Sequence, residues 1–308
     1  MKRREFLAVP FLGLMTAACS RSTKSTSKEP EVTSASLPVA HSAARTCDGA
    51  ELVEWDLSGV TTRAAILKPE GLHENVRVPV LVALHGRGEA IKGPERGALG
   101  WPNDYNLTKA LTRVCAPPLI ANDFEGLVED DHLAEMNAWL AQHPWKGLVV
   151  VCPWVPDLNL RSDTELVDYG RFLVETILPR VVKEMPATSA TGIDGVSLGG
   201  AVALRAGLAF PQTFKAVAAL QPAIDDARVT DLVDLARVAR TKRPDLSLRI
   251  TTSHEDYYRD VTHSLSDAWK KADVQHDFSE LPGPHDYIFN RGPGAYEMLL
   301  WHARVLGS

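Results

Sequence analysis

A short strand, a cramped turn and a helix follow one another across residues 190–208, and few folds accept that succession. Residues 190–196 read as a strand, Gly195-Val196-Ser197-Leu198-Gly199 spells G-x-S-x-G, and residues 200–208 carry apolar side chains at helical spacing. A Ser on a tight strand-to-helix turn holds its hydroxyl above the end of a sheet, where a base can reach it. Small flanking residues are required because the turn is crowded and the helix packs close. The bare pentapeptide is common, and the opposing reading is a Gly-rich surface turn. The strand before it and the helix after it give it weight.

The rest of the chain repeats the strand-then-helix rhythm. Residues 51–57 and 62–67 alternate apolar and polar, as an antiparallel pair at a sheet edge does. The runs 78–84, 147–152, 216–220 and 246–251 are apolar along their length, the pattern of strands covered on both faces. Helical spacing predicts helices over 107–114, 133–141, 163–183, 200–209 and 261–272. This alternation implies the α/β class: a mainly parallel sheet flanked by helices, forming a single domain over residues 47–308 without internal repeats. Residues 89–143 are long for one crossover, and their Gly, Pro, Trp and Asn content predicts a partial lid insertion.

A Ser hydroxyl becomes a useful nucleophile when a base takes its proton and an acid orients that base. After the run 246–251 comes Thr252-Ser253-His254-Glu255-Asp256-Tyr257. A carboxylate just beyond a late strand is where an orienting acid belongs, which makes Asp256 the first candidate and Glu255 the second. Leu281-Pro282-Gly283-Pro284-His285-Asp286-Tyr287 reads as a turn-rich loop before a helix beginning near Gly294, and His285 is the candidate base. His254 lies too close to the proposed acid along the chain to reach Ser197 while that acid orients it. Leu84-His85-Gly86-Arg87-Gly88 closes a buried strand with a loop able to aim backbone N–H groups at an oxyanion. Leu198 supplies one such group and Arg87 the other, with Gly86 as the alternative; His85 reads as a brace for the loop. The Arg87 side chain either contacts substrate or pairs with Glu89 at the surface. Trp101, Tyr105, Trp145, Trp154 and Tyr257 either line a pocket or simply pack. Trp154, near the C-terminal end of a strand, is the leading substrate-lining candidate, with Arg87 and Tyr257 beside it.

Taken together, Leu84-His85-Gly86, the turn from Gly195 to Gly200, Phe210-Pro211-Gln212-Thr213-Phe214 and Gly283-Pro284-His285-Asp286-Tyr287 make residues 50 to 305 resemble the esterase D branch of the α/β-hydrolases. That branch includes S-formylglutathione hydrolases, feruloyl and acetyl-xylan esterases and enterochelin esterases. The resemblance implies a serine carboxylesterase working through an acyl-enzyme, with Ser197, Asp256 and His285 as its triad and no metal or organic cofactor. Its substrate would be a small-molecule or carbohydrate-linked ester. Relatives often carry Ser-Gly where this chain has Gln221-Pro222, so the pocket wall does not carry over. Two readings compete: an acyltransferase using the same triad, and a non-catalytic envelope binding protein on a hydrolase scaffold. The second leaves the Ser, His and acid without a purpose.

The first 46 residues read differently. Arg3-Arg4-Glu5-Phe6-Leu7 resembles a twin-arginine export motif, and the apolar run 6–18, broken by Pro10, is too short to span a bilayer. Thr16-Ala17-Ala18-Cys19 resembles a bacterial lipoprotein cleavage box, with Thr16 in place of the usual Leu and Cys19 as the lipidated residue. Residues 1–19 are therefore expected to be an export signal, and the Ser/Thr/Lys/Glu/Pro-rich residues 20–46 a flexible tether. The expected location is the bacterial cell envelope, with membrane contact only through the lipid. A net charge of −6 without a basic stripe argues against a nucleic-acid partner. No Cys-x-x-Cys or His-rich pattern points to a metal. Cys47, Cys115 and Cys152 allow at most one internal disulfide, whose choice stays open, although Cys152 reads as a buried thiol in a strand.

Overall fold

The structure, a computed structural model, describes residues 47–158 and 162–307. The export signal, the tether and Cys19 lie outside the described residues. The described chain opens with two antiparallel strands, β1 (Ala50–Asp56) and β2 (Arg63–Pro69), in register from Ala50↔Pro69 to Asp56↔Arg63. The run expected as a doubly covered strand is β3 (Val78–Leu84), buried at every position. A long crossover follows: α1 (Arg87–Ile91), α2 (Pro94–Gly97), a π-helical turn, α3 (Leu107–Val114), a 3-10 turn and α4 (Asp130–Gln142). Then come β4 (Val149–Pro153), α5 (Asp163–Phe172), α6 (Leu178–Glu184) and β5 (Ala187–Gly195). The chain continues through α7 (Leu198–Ala209), β6 (Phe214–Leu220), α8 (Asp226–Lys242), β7 (Ser247–Glu255), α9 (Arg259–Lys271) and β8 (Asp277–Pro284). It ends with α10 (Tyr287–Phe289) and α11 (Ala295–Leu306).

The eight strands form one sheet in the order β1-β2-β4-β3-β5-β6-β7-β8. From β4 onward every neighbouring pair is parallel; β2 joins β1 and β4 antiparallel. Strand periodicity splits the core in two. Val80, Val82 and Leu84 of β3 face a cluster with Tyr169, Val181, Val202, Leu232 and Trp269, from α5 to α9. Leu81 and Ala83 face the other way, toward Leu107, Leu111, Met136, Tyr296 and Leu299 of α3, α4 and α11. Because β3, β5, β6, β7 and β8 run parallel, the segments that follow them all emerge at one edge of the sheet, where ligands of such sheets bind.

Three local expectations need revision. Residues 281–284 are not loop: they finish β8. Pro282 and Pro284 are tolerated because, among the described residues, β8 is the outermost strand, with one side free of ladder partners. Residues 226–242 form a helix that apolar spacing did not announce, since only Leu232, Ala236 and Ala239 are buried. Most of the segment expected as a partial lid is a packed helical layer, with Trp101, Leu107, Leu111 and Leu140 inside the core. Cys47 pairs with Cys115 across 68 positions of sequence, and Cys152 is the buried free thiol.

Candidate active site

Ser197 stands between β5 and α7 with φ 56° and ψ −117°. A side-chain-bearing residue does not choose that conformation, so its surroundings must impose it. Ser197 N–H donates to Leu220 O at 3.0 Å, and its own carbonyl accepts from Ala223 N at 2.9 Å. One residue earlier, Val196 N–H donates to Leu84 O at 3.1 Å. Backbone from β3 and from the end of β6 thus clamps the turn on both sides. A Cβ on Gly199 would stand on the Leu84 and His85 carbonyl oxygens, which is why the turn needs glycine there.

The carboxylate–imidazole pair forms two and three strands away. Asp256 directly follows β7, and its side chain is fully buried. Its Oδ1 lies 2.6 Å from His285 Nδ1 and accepts Tyr258 N–H at 3.0 Å, while Oδ2 accepts the Thr252 hydroxyl at 2.7 Å. A carboxylate against Nδ1 fixes the proton there and leaves the Nε2 lone pair facing outward. Glu255 and His254 are both exposed. Tyr257, 78% exposed, stacks on the His285 ring at 4.9 Å, and Tyr258 meets the same ring edge-on at 5.5 Å. Among the described residues Ser197 Oγ and His285 share no hydrogen bond. Gln221, next to the Leu220 carbonyl that holds the Ser197 amide, donates from Nε2 to Pro284 O at 3.0 Å and to Ser253 Oγ at 2.6 Å.

The loop after β3 lies beside the nucleophile. A Cβ placed on Gly86 would be 3.7 Å from Ser197 Cβ. Gly86 N–H already donates to Tyr105 Oη at 3.3 Å. Arg87 and Leu198 are the first residues of α1 and α7, so neither amide has an acceptor within its own helix. His85 is buried and braces the loop: its Nε2 accepts Val155 N–H at 2.9 Å and its Nδ1 meets Gly86 O at 2.9 Å. Burial lowers its pKa to about 4, which suits a neutral ring with one accepting nitrogen. The Arg87 guanidinium pairs with Asp157, at 3.1 to 3.2 Å, rather than with Glu89. Glu89 is unavailable because it is buried and faces Tyr105, Tyr287 and Lys92.

A cavity of about 160 Å³ opens next to the turn, lined by Leu198, Ala201, Ala223, Ile224, Arg228 and Tyr258, among others. Trp154 is packed elsewhere: its indole N–H donates to Ala90 O at 3.3 Å. Trp101, Tyr105 and Trp145 are buried in the core. Sequence reasoning passed over Tyr258 and Thr252, and marked Gln221 only as a departure from relatives. Tyr258 and Thr252 flank the acid within four residues and could have been flagged by that proximity. Nothing local assigns Gln221 its contacts with Ser253 and Pro284.

Against known proteins, residues 155–287 match the family model described as "Putative esterase", a stretch that holds Ser197, Asp256 and His285. Among solved structures, a ferulic acid esterase superposes with a TM-score of 0.62 at 16% identity, covering 84% of this chain and 99% of that one. A ferulic acid esterase from the anaerobic fungus Anaeromyces mucronatus gives 0.57 at 18% identity, over 83% and 92% of the two chains. The S-formylglutathione hydrolase of Staphylococcus aureus gives 0.55 at 14% identity, over 82% and 95%. No curated protein sequence matches the chain. The fold is that of the α/β-hydrolases. The family match spans residues 155–287, under half of the chain, and over that stretch the chain is similar to esterases.

Proposed function

We propose that the chain cleaves carboxylic esters by a two-step route in which Ser197 is the nucleophile, His285 the base and Asp256 its orienting acid. As Ser197 Oγ attacks the ester carbonyl, its proton passes to His285 Nε2. The N–H groups of Leu198 and Arg87 meet the oxyanion, and each such donor typically contributes about 3 kcal/mol to transition-state stabilisation. The imidazolium returns the proton to the departing alcohol. His285 then deprotonates the water that releases the acid from the acyl-enzyme.

The observation that carries this reading is the 2.6 Å contact of His285 Nδ1 with Asp256 Oδ1, at the sheet edge where Ser197 is held in a strained turn. The Ser197–His285 hydrogen bond forms in the substrate complex; catalytic hydrogen bonds commonly tighten only there. The Tyr105 contact with Gly86 N–H favours Arg87 as the loop's donor. Small-molecule and carbohydrate-linked esters are the substrate class, and feruloyl esters belong in the panel because ferulic acid esterases share the fold. The enzyme acts at the bacterial cell envelope, exported by residues 1–19 and held to the membrane by a lipid on Cys19.

A fluorophosphonate probe should label the wild type and leave Ser197→Ala unlabelled. On p-nitrophenyl acetate that variant should lose at least about a thousandfold in kcat/KM with an unchanged Tm. Full activity in a folded Ser197→Ala protein would dismiss the nucleophile.

A further inference from the structure

The loop that begins α1 and the segment that carries His285 are joined by one buried carboxylate. Glu89, two residues after Arg87, is only 1% exposed. Its Oε1 accepts the Tyr287 hydroxyl at 2.6 Å and Lys92 Nζ at 3.3 Å, and its Oε2 accepts the Tyr105 hydroxyl. Tyr105, whose hydroxyl hydrogen points at Glu89, accepts Gly86 N–H on the same oxygen at 3.3 Å. Tyr287 lies two residues beyond His285. Lys92 also reaches Tyr287 Oη at 3.2 Å and Asp104 at 2.8 Å. The Tyr105 and Tyr287 rings meet edge-on at 5.6 Å. Burial and the adjacent Glu89 raise both phenols above their ordinary pKa, so both remain donors at neutral pH.

A carboxylate is expensive to bury unless donors surround it, and plain packing would have put an apolar residue here. We propose that Glu89 is a positioning residue: through Tyr105 and Tyr287 it sets the spacing between the oxyanion donor at Arg87 and the imidazole of His285. The inference rests on the esterase mechanism above. Tyr105 holds Gly86 N–H, which keeps the loop turned so that the following amide is the one offered to substrate. Tyr287 holds the His285 segment against the same carboxylate. Neither contact touches the ester, so loss of the clasp disturbs turnover and leaves substrate affinity in place.

The test compares Tyr287→Phe, Glu89→Gln and the double variant on p-nitrophenyl acetate, alongside Ser197→Ala. Tyr287→Phe removes one oxygen and keeps the ring contact. It should lower kcat by about ten- to a hundredfold, the scale of a small misplacement of catalytic groups. KM should stay within about twofold and the fluorophosphonate labelling rate should fall in parallel with kcat. The double variant should be no slower than the slower single one, since both break one linkage. Wild-type kcat in Tyr287→Phe, a change confined to KM, or losses that multiply would overturn the clasp. If Glu89→Gln does not fold, Tyr287→Phe alone decides. An inert Ser197→Ala beside a fully active Tyr287→Phe refutes the clasp and spares the esterase mechanism. An active Ser197→Ala refutes that mechanism itself.

Discussion

Ser197 holds a conformation that its own backbone would not select, and neighbouring strands supply the restraint. Its amide and carbonyl are both taken by the segment around Leu220 and Ala223. The neighbouring Asp256 shows how single contacts divide roles between adjacent residues. Asp256 gathers His285, Thr252 and the Tyr258 amide, whereas Glu255 faces solvent. Asp256→Asn preserves shape but lets the imidazole take the wrong tautomer, and kcat should fall by roughly ten-thousandfold. Glu255→Gln should leave kcat within about twofold, as surface changes usually do. Rates for both variants on one short p-nitrophenyl ester check this, and the reverse ranking would move the acid to Glu255.

At the scale of elements, a charged network ties four of them together away from the site. Arg249 of β7 pairs with Glu297 of α11 and donates to Ser279 of β8 at 3.1 Å, and Glu297 also meets His132 of α4. Burial alone would raise the Glu297 pKa, but Arg249 and His132 overcome it and hold it at about 2, against an ordinary 4.5. The sign follows from linkage: Glu297 adds stability above pH 4.5, and that contribution is lost as pH falls toward 2. Its size is on the order of 3 kcal/mol. His132, whose pKa is raised by Glu297, adds stability below 6.5 that fades as pH rises past its folded value. Glu297→Gln should therefore be less stable at neutral pH and show a flatter decline through the acid window. Chemical denaturation at a series of pH values reads this, and curves that fall in parallel with wild type would exclude Glu297 as the source. The same elements explain two local surprises. β8 accepts prolines because it has no outer neighbour among the described residues. Helix α8 is marked instead by capping: Asp225 accepts from Arg228 N–H, with Arg240 and Lys242 in the last turn.

Across the whole molecule, one sheet divides two apolar clusters, and the Cys47–Cys115 bond fastens the start of the described chain to the end of α3. Closing a loop of that length restricts the unfolded chain by about 4 kcal/mol in the entropic account. The body is preceded by the proposed signal and tether, so its location is a property of the full chain. Full-length protein should sediment with membranes, and Cys19→Ala should release it to the soluble fraction. Stable anchoring takes more than one acyl chain, and Cys19→Ala removes the site that would carry all of them, so release should be substantial if the lipid is the anchor. Sedimentation unaltered by Cys19→Ala would sink the lipid anchor.

Hydrophobic period and turn chemistry are local, so the sequence by itself determined the α/β alternation, the doubly covered strand 78–84 and the crowded turn at Ser197. It also carried the candidates for base and acid, because their order along the chain is one-dimensional information. Only the tertiary structure decided that Cys47 joins Cys115, that Arg87 turns to Asp157 and that Asp256 meets His285. It alone brought Glu89, Tyr105 and Tyr287 together from positions up to 198 residues apart. Partner choice across such separations follows from which strand ends the parallel sheet gathers at one edge, and no window of sequence contains that geometry.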